Sequence, residues 1–370
     1  MNNAITADAI RSAPKCLLHD HLDGGLRPQT ILELADEIGW TPHLPTTDLT
    51  ELQTWFTRGA ESRDLLQYLE TFDHTLAVMQ TPAAIERIAY EATMDLASDG
   101  VVYAELRYAP EQHGMPLEES LEAACSGFRR AERDAARDGH PILVNAIVCA
   151  MRTATQSMEI AQFVARERHV EHKCVAFDLA GAETGWPPSL HAEALSYARQ
   201  AHLNITIHAS EPPDLELISD AIAHGAHRIG HGVRLGRDTT TAPDGSLLLG
   251  PLAQFVLDHQ IHLEMAPTCN TQIGAVASVA DHPIGAFLRH GFSVSVNTDN
   301  RLMSHVSPSS EMSAVADAFD LSWAEISRLV ENGITASFAP YETKQRLLTD
   351  VVRPVYAALG AHATPEIGAP

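Results

Sequence analysis

The sequence has few cysteines and few positive charges. Five cysteines are scattered over 370 residues, and no two of them form a C-x-x-C pair. Their odd number and spacing argue against a disulfide framework or a cysteine-bound structural zinc, and they predict reduced thiols in a cytoplasmic protein. Lysine and arginine total 25 against 48 aspartates and glutamates, so the formal net charge is -23. This excess argues against a nucleic acid or an anionic membrane as a partner.

Long apolar runs and phosphate-binding loops are also missing. No stretch approaches the roughly 20 apolar residues that a membrane-spanning helix needs. Residues 1–12 include Asp8 and no continuous apolar segment, so we expect no signal peptide. Neither G-x-G-x-x-G nor G-x-x-x-x-G-K-S/T occurs, and the Gly24-Gly25 pair fits neither motif.

Eight short apolar runs are present, and helical pattern separates most of them. They span residues 16–21, 101–109, 142–149, 175–180, 205–208, 228–233, 261–266 and 292–298. Strands that alternate with helices predict a parallel sheet, and eight of them predict an α/β fold, a (β/α)8 TIM barrel, in a single domain over residues 1–370. A doubly wound open sheet is the alternative, but it would carry a glycine-rich turn after an early strand.

Residues 30–98 form a long insertion between the first and second predicted strands. Pro82 opens one of its helical segments, in which Ile85, Ile88 and Ala92 fall on one face. A helical insertion of this length after the first strand of a barrel predicts a lid over the site.

The first apolar run ends in His19-Asp20-His21. Side chains alternate along a strand, so His19 and His21 point to the same face. Two imidazoles on one face at a strand end suit a divalent metal such as zinc. An isolated His-x-His pair more often consists of two polar residues at the point where a strand passes into a turn. Here the polar residues at the ends of the other predicted strands favour a metal site.

His208 ends the fifth predicted strand, and Asp299 follows the eighth. A (β/α)8 barrel brings the C-terminal ends of its strands to one mouth. Together with the two histidines of the first strand, His208 would supply nitrogen ligands and Asp299 an oxygen ligand. This set leaves a position for water, as at a catalytic zinc ion. Asp299 could instead cap the helix that follows it.

Glu211 and His231 supply acid–base groups at the same strand ends. Glu211 lies three residues after His208 and could donate a proton to the group under attack. His231 could orient or deprotonate a metal-activated water. A two-metal site would want a lysine at the end of the fourth strand, whereas Lys173 precedes that strand, so we expect one metal and metal-assisted hydrolysis. We interpret Asp178 as a structural residue.

These strand-end residues resemble those of the adenosine deaminase family. The resemblance is carried by residues 15–24, 103–110, 178–183, 208–211, 228–232, 267–275 and 296–300. It implies a (β/α)8 barrel with one zinc ion that hydrolyses adenosine and 2′-deoxyadenosine to inosine and ammonia, in purine salvage. It implies a small purine nucleoside as the partner, with no nucleic acid and no membrane, and it leaves a homo-oligomer open.

The resemblance also implies a role for each site residue. The zinc ligands would be His19, His21, His208 and Asp299. Glu211 would protonate purine N1, and His231 would position the attacking hydroxide. The groups in contact with the substrate would be His21, Asp23, the backbone of Gly181, and Asn300.

Two departures from the family pattern keep other functions open. Ser210 replaces a glycine beside Glu211 and could narrow the pocket. Asn300 replaces an aspartate, and its amide can donate to purine N7 without first being protonated. The alternatives are another 6-aminopurine (aminodeoxyfutalosine, adenine or a modified nucleoside), a metal-dependent hydrolase of a lactone or phosphoester, and a nucleoside-binding protein without turnover. Asp23 favours a substrate with a ribose over free adenine.

Overall fold

The structure is a computed structural model that describes residues 4–63, 65–168, 174–243 and 246–361. Its strands are β1 (Lys15–His21), β2 (Val101–Tyr108), β3 (Leu143–Met151), β4 (Cys174–Ala180), β5 (Ile205–Ala209), β6 (Arg228–His231), β7 (Thr239–Thr241), β8 (Leu247–Leu249), β9 (His262–Met265) and β10 (Val294–Val296).

The α-helices before the fourth strand of the large sheet include those of the insertion. They are α1 (Ala7–Ser12), α2 (Pro28–Glu37), α3 (Leu49–Ala60), α4 (Leu65–Glu70), α5 (Phe72–Val78), α6 (Pro82–Ser98), α7 (Leu117–Arg137) and α8 (Ser157–Glu167). The later helices are α9 (Ala192–Gln200), α10 (Glu216–Ala223), α11 (Pro251–Asp258), α12 (Pro267–Gln272), α13 (Ile284–His290), α14 (Arg301–Ser304), α15 (Pro308–Phe319), α16 (Trp323–Ala336), α17 (Tyr341–Arg346) and α18 (Arg353–Leu359).

The large sheet is parallel throughout and closes on itself. Its strand order is β1-β2-β3-β4-β5-β6-β9-β10, and β10 returns to β1 through a parallel bridge between Asp20 and Asp299. There the Asp299 N–H donates to the His19 carbonyl at 3.0 Å, and the His21 N–H donates to the Asp299 carbonyl at 2.8 Å. The predicted (β/α)8 barrel is confirmed, and the alternative of an open sheet is wrong.

The seam between β10 and β1 also depends on the side chain of Asn297. Its Oδ1 accepts the N–H of Leu18 at 2.9 Å and the N–H of His19 at 3.1 Å. Its Nδ2 donates to the Ser295 hydroxyl at 3.0 Å. A side chain thus replaces main-chain partners here, and the strand ends at Val296 instead of running to residue 298 as the apolar run predicted.

Helices α2 to α6 lie between β1 and β2, which confirms the helical insertion predicted at residues 30–98. Helix α6 packs closely on α7 at Gly127, where a Cβ would lie 2.4 Å from the Glu86 carbonyl oxygen. The sequence pattern did not predict the antiparallel hairpin of β7 and β8, because each of its strands is only three residues long.

The inner face of the barrel carries charged side chains as well as apolar ones. Glu105 and Arg107 alternate along β2, and Arg228 and Glu264 come from β6 and β9; all four are fully buried. Buried charges cost free energy unless they are paired, so each of these four side chains needs a partner of opposite charge inside the barrel. Within the part of the chain that the structure describes, every helix is too short or too polar to cross a membrane.

Replacing Asn297 with leucine should lower the free energy of unfolding of the metal-free protein by about 2–4 kcal/mol, because two buried N–H groups lose their acceptor. Urea unfolding followed by tryptophan fluorescence measures this. The control is Asn332→Leu, which removes a single hydrogen bond to the Val294 carbonyl and should cost about 1 kcal/mol. Equal losses in the two variants would contradict the role of Asn297 at the seam.

Candidate active site at the barrel mouth

Three histidines and one aspartate converge where the strands end. The Nε2 atoms of His21 and His208 are 3.1 Å apart. Asp299 Oδ1 lies 3.2 Å from His19 Nε2 and 3.4 Å from His21 Nε2. Two ligands that are each bonded to a tetrahedral zinc lie about 3.3 Å apart, given bonds of about 2.0–2.1 Å. These three separations are compatible with one ion. Among the described residues, the group whose ligand atoms all lie within 4.8 Å of one another is His19, His208, His231 and Asp299, so the place of His21 in the ligand set stays a prediction.

The protonation of the imidazoles also fits a metal. His19 Nδ1 lies 2.9 Å from Glu264 Oε2, and His208 Nδ1 lies 3.2 Å from Asp178. An ionised carboxylate only accepts, so each Nδ1 carries the hydrogen and each Nε2 keeps its lone pair. His19 Nε2 is buried and has no hydrogen-bond partner in the described part of the chain. Burial and the nearby Arg107 lower the pKa of His19 well below its usual value, so this ring is neutral.

Arg107 lies below the histidines and joins the two carboxylates that hold them. Its Nη1 donates to Asp178 Oδ2 at 3.0 Å, and its Nη2 donates to Glu264 Oε2 at 2.7 Å and to the Leu18 carbonyl at 2.6 Å. Burial alone would raise the pKa of Glu264, but Arg107 and Arg228 outweigh it and lower that pKa to about 2. Asp178, predicted to be structural, thus orients a predicted metal ligand.

Two residues of the site hold a left-handed backbone without being glycine. His231 has φ 62° and Asp299 has φ 55°. This conformation costs roughly 1–2 kcal/mol for a residue with a Cβ, and such strain is concentrated at functional sites. One ring nitrogen of His231 lies within 4.8 Å of the ligand atoms of His19, His208 and Asp299.

Glu211 is buried next to this cluster. Its Oε1 lies 3.7 Å from His231 Nε2. Both of its backbone groups are held by side chains: the N–H donates to Glu183 Oε1 at 3.0 Å, and the carbonyl accepts from Arg234 Nε at 3.0 Å. Burial raises the pKa of Glu211 well above its ordinary value, and the neighbouring Glu183 and Asp299 raise it further.

A cavity of about 230 Å³ opens beside the metal cluster. His21, Asp23 and Gly181 line it, as predicted for substrate contacts, and Phe72 and Leu76 of α5 form part of its wall. The insertion therefore lies over the site, while its motion as a lid stays a prediction. A larger cavity of about 710 Å³ borders α13 and contains none of the cluster residues, so the smaller one is the better candidate for the substrate.

Asn300 is the predicted contact that lies apart from this cavity. It is buried and packs against Gly24, where a Cβ would lie 2.0 Å from its Oδ1. That oxygen has no hydrogen-bond partner among the residues that the structure describes. The other predicted residues lie around the metal cluster or in the cavity wall.

The sequence prediction missed the buried ion pairs of Arg107 and Glu264 and the contact of Glu183 with Glu211. A signal was present in β2 and β9, where charged residues interrupt apolar strands. Such residues must find partners inside the barrel.

Known proteins resemble this chain over nearly its whole length. The family model described as adenosine deaminase matches residues 14–354. The chain belongs to the adenosine deaminase family. The adenosine deaminase of Mycobacterium marinum is 47% identical over 363 residues, which cover 97% of this chain and 99% of the relative. The adenosine deaminase of Mycobacterium tuberculosis is 46% identical over 367 residues, which cover 98% and 100%.

Solved structures of deaminases share the fold of this adenosine deaminase family member. Adenine deaminase from Arthrobacter aurescens matches with a TM-score of 0.78 and 26% identity, covering 93% of this chain and 99% of its own. The N6-mAMP deaminase of Arabidopsis matches with a TM-score of 0.78 and 25% identity, covering 95% and 99%. A zinc-bound amidohydrolase from Burkholderia ambifaria, at 22% identity and a TM-score of 0.81 over 96% and 94%, shows the fold alone.

Replacing Asp178 with asparagine should weaken metal binding by about 10–100-fold, because a neutral amide polarises His208 less and leaves Arg107 with one carboxylate. Competition with a chelator measures the affinity. The control is Glu311→Gln, a buried carboxylate bonded to Thr268 and not to a histidine of the cluster. An unchanged affinity in Asp178→Asn would show that the ring is oriented by other contacts.

Proposed function

We propose that the protein hydrolyses the 6-amino group of adenosine and 2′-deoxyadenosine, releasing ammonia and leaving inosine and its deoxy analogue, with one zinc ion per chain. The proposal rests on one observation: the group of three histidines and one aspartate lies next to a buried carboxyl group, that of Glu211. Membership of the adenosine deaminase family, with relatives of that name 47% identical over 97% of the chain, supports the reaction.

His19, His21, His208 and Asp299 would hold the zinc ion. Their three imidazoles and one carboxylate are a donor set that zinc prefers. When bound there, zinc supplies a water of lowered pKa at neutral pH. His231, next to the cluster, would hold that water against the purine.

Glu211 would act as the general acid. Burial and the neighbouring carboxylates raise its pKa well above the ordinary value, so the carboxyl holds its proton more readily than an exposed glutamate does. A proton donated to purine N1 makes C6 more electrophilic, a contribution of roughly 10²–10⁴-fold in rate. Glu211 lies in a loop, so its backbone N–H and carbonyl have no partners in the sheet. The hydrogen bonds to the side chains of Glu183 and Arg234 replace them and keep the acid in place.

The cavity fits an uncharged nucleoside better than a nucleotide. Asp23 and Asp73 line it, whereas its described lining residues include no lysine or arginine. A 5′-phosphate there would meet carboxylates without a counter-charge. Asp23 would contact the ribose, and the backbone at Gly181, with φ 95°, would approach the purine. Phe72 and Leu76 would cover its apolar face.

Ser210 favours a second candidate, another 6-aminopurine. Its side chain is buried beside Glu211, and its hydroxyl has no hydrogen-bond partner within the described ranges. A substrate with an extra polar group near the reacting carbon could use this hydroxyl.

Mixing zinc-loaded protein with adenosine should produce inosine and an equal amount of ammonia. Loss of absorbance at the adenosine band and an ammonia assay measure the two products. AMP should be turned over at least 100-fold more slowly. If adenosine is inert while zinc is bound, the proposed substrate is wrong, and activity gained in Ser210→Gly would show that this side chain closes the pocket.

Glu211→Gln should lower kcat by about 10²–10⁴-fold and leave zinc content and KM within a few-fold, because only proton donation is lost. Steady-state kinetics and metal analysis measure both. Glu216→Gln, an exposed carboxylate at the start of α10, is the control and should behave as the unaltered enzyme. An unchanged kcat in Glu211→Gln would remove Glu211 as the acid.

A further inference from the structure

A chain of hydrogen bonds runs from the start of a helix to His231. Ile284 is the first residue of α13, so its N–H has no partner within that helix. It donates to His282 Nδ1 at 3.1 Å. Because a backbone N–H can only donate, Nδ1 must be the unprotonated nitrogen of the His282 ring.

The next two links follow from that one. Burial lowers the pKa of His282 to about 3, so its ring is neutral and the hydrogen is on Nε2. That nitrogen lies 3.1 Å from Asn270 Oδ1, which must accept. The Asn270 amide nitrogen then faces His231 Nδ1 at 3.1 Å and donates to it. His231, Asn270 and His282 are all buried, so water does not compete for these bonds.

We propose that Asn270 and His282 are positioning residues that fix His231 as the tautomer with its hydrogen on Nε2. This nitrogen points into the site, 3.7 Å from Glu211 Oε1. His231 therefore offers a hydrogen-bond donor and no lone pair there, and it does not ligate the metal through Nε2 despite its short distance from the cluster. The inference rests on the proposed function, in which this N–H holds the oxygen of the attacking water.

Two substitutions at Asn270 test the proposal by which of them lowers kcat more. An aspartate accepts and cannot donate, so it would force the hydrogen of His231 onto Nδ1 and leave a lone pair facing the site. We expect Asn270→Asp to lower kcat by on the order of 10²–10³-fold, since a wrong tautomer disables a catalytic histidine. Asn270→Ala permits both tautomers and should lose only about ten-fold. KM and zinc content should stay within a few-fold in both.

If Asn270 were only structural, Asn270→Ala would lower kcat more than Asn270→Asp, because aspartate has the same shape as asparagine whereas alanine leaves a cavity. A lower kcat in Asn270→Ala than in Asn270→Asp would therefore overturn the proposal. The control is Asn332→Asp, the same exchange on α16, where the amide donates to the Val294 carbonyl. Its kcat should stay within two-fold of the unaltered enzyme.

Nitrogen-15 NMR of histidine-labelled, zinc-loaded protein reads the tautomer directly. The His231 signals, assigned by their loss in His231→Gln, should show the hydrogen on Nε2 and a bare Nδ1. A hydrogen on Nδ1 would overturn the proposal, whether or not the Asn270 variants fold. This measurement needs no turnover, so an enzyme that is inert towards adenosine would contradict the proposed substrate and leave the tautomer result standing.

Discussion

The shared guanidinium of Arg107 is the interaction on which the site depends. One planar group donates to Asp178 and to Glu264, and these carboxylates hold the imidazoles of His208 and His19. In a buried, low-dielectric setting such pairs are strong, while an unpaired member is costly, so the arrangement has little freedom. Two histidines from opposite sides of the barrel are thereby fixed relative to each other.

The same network carries a net negative charge inside the barrel. Arg228 contacts both Glu264 and Glu105, so three carboxylates share two guanidiniums below the mouth. The sum is one negative charge, to which the Asp299 carboxylate at the mouth adds another. A divalent cation bound at the mouth would compensate both charges.

The sequence predicted the barrel and the convergence of polar side chains at its mouth, because both depend on local patterns. Each ligand follows an apolar run, and a closed parallel sheet gathers all strand ends at one mouth. Arg107 and Glu264 could not be paired in advance, since strands β2 and β9 are distant in sequence and their contact depends on register. The place of Asn300 could not be read from the pattern either: its neighbour Asp299 has a left-handed backbone, and Asn300 packs against Gly24. Its contact with the substrate stays a prediction.

The barrel closes at the residues that are predicted to bind the metal. The backbone of Asp299 bonds to the backbones of His19 and His21, whose side chains converge on the same point as its carboxylate. When β10 separates from β1, the predicted ligands therefore also move apart. An ion bound there adds its binding free energy to the closure of the sheet, so the seam of the barrel should be among its last parts to exchange amide hydrogens.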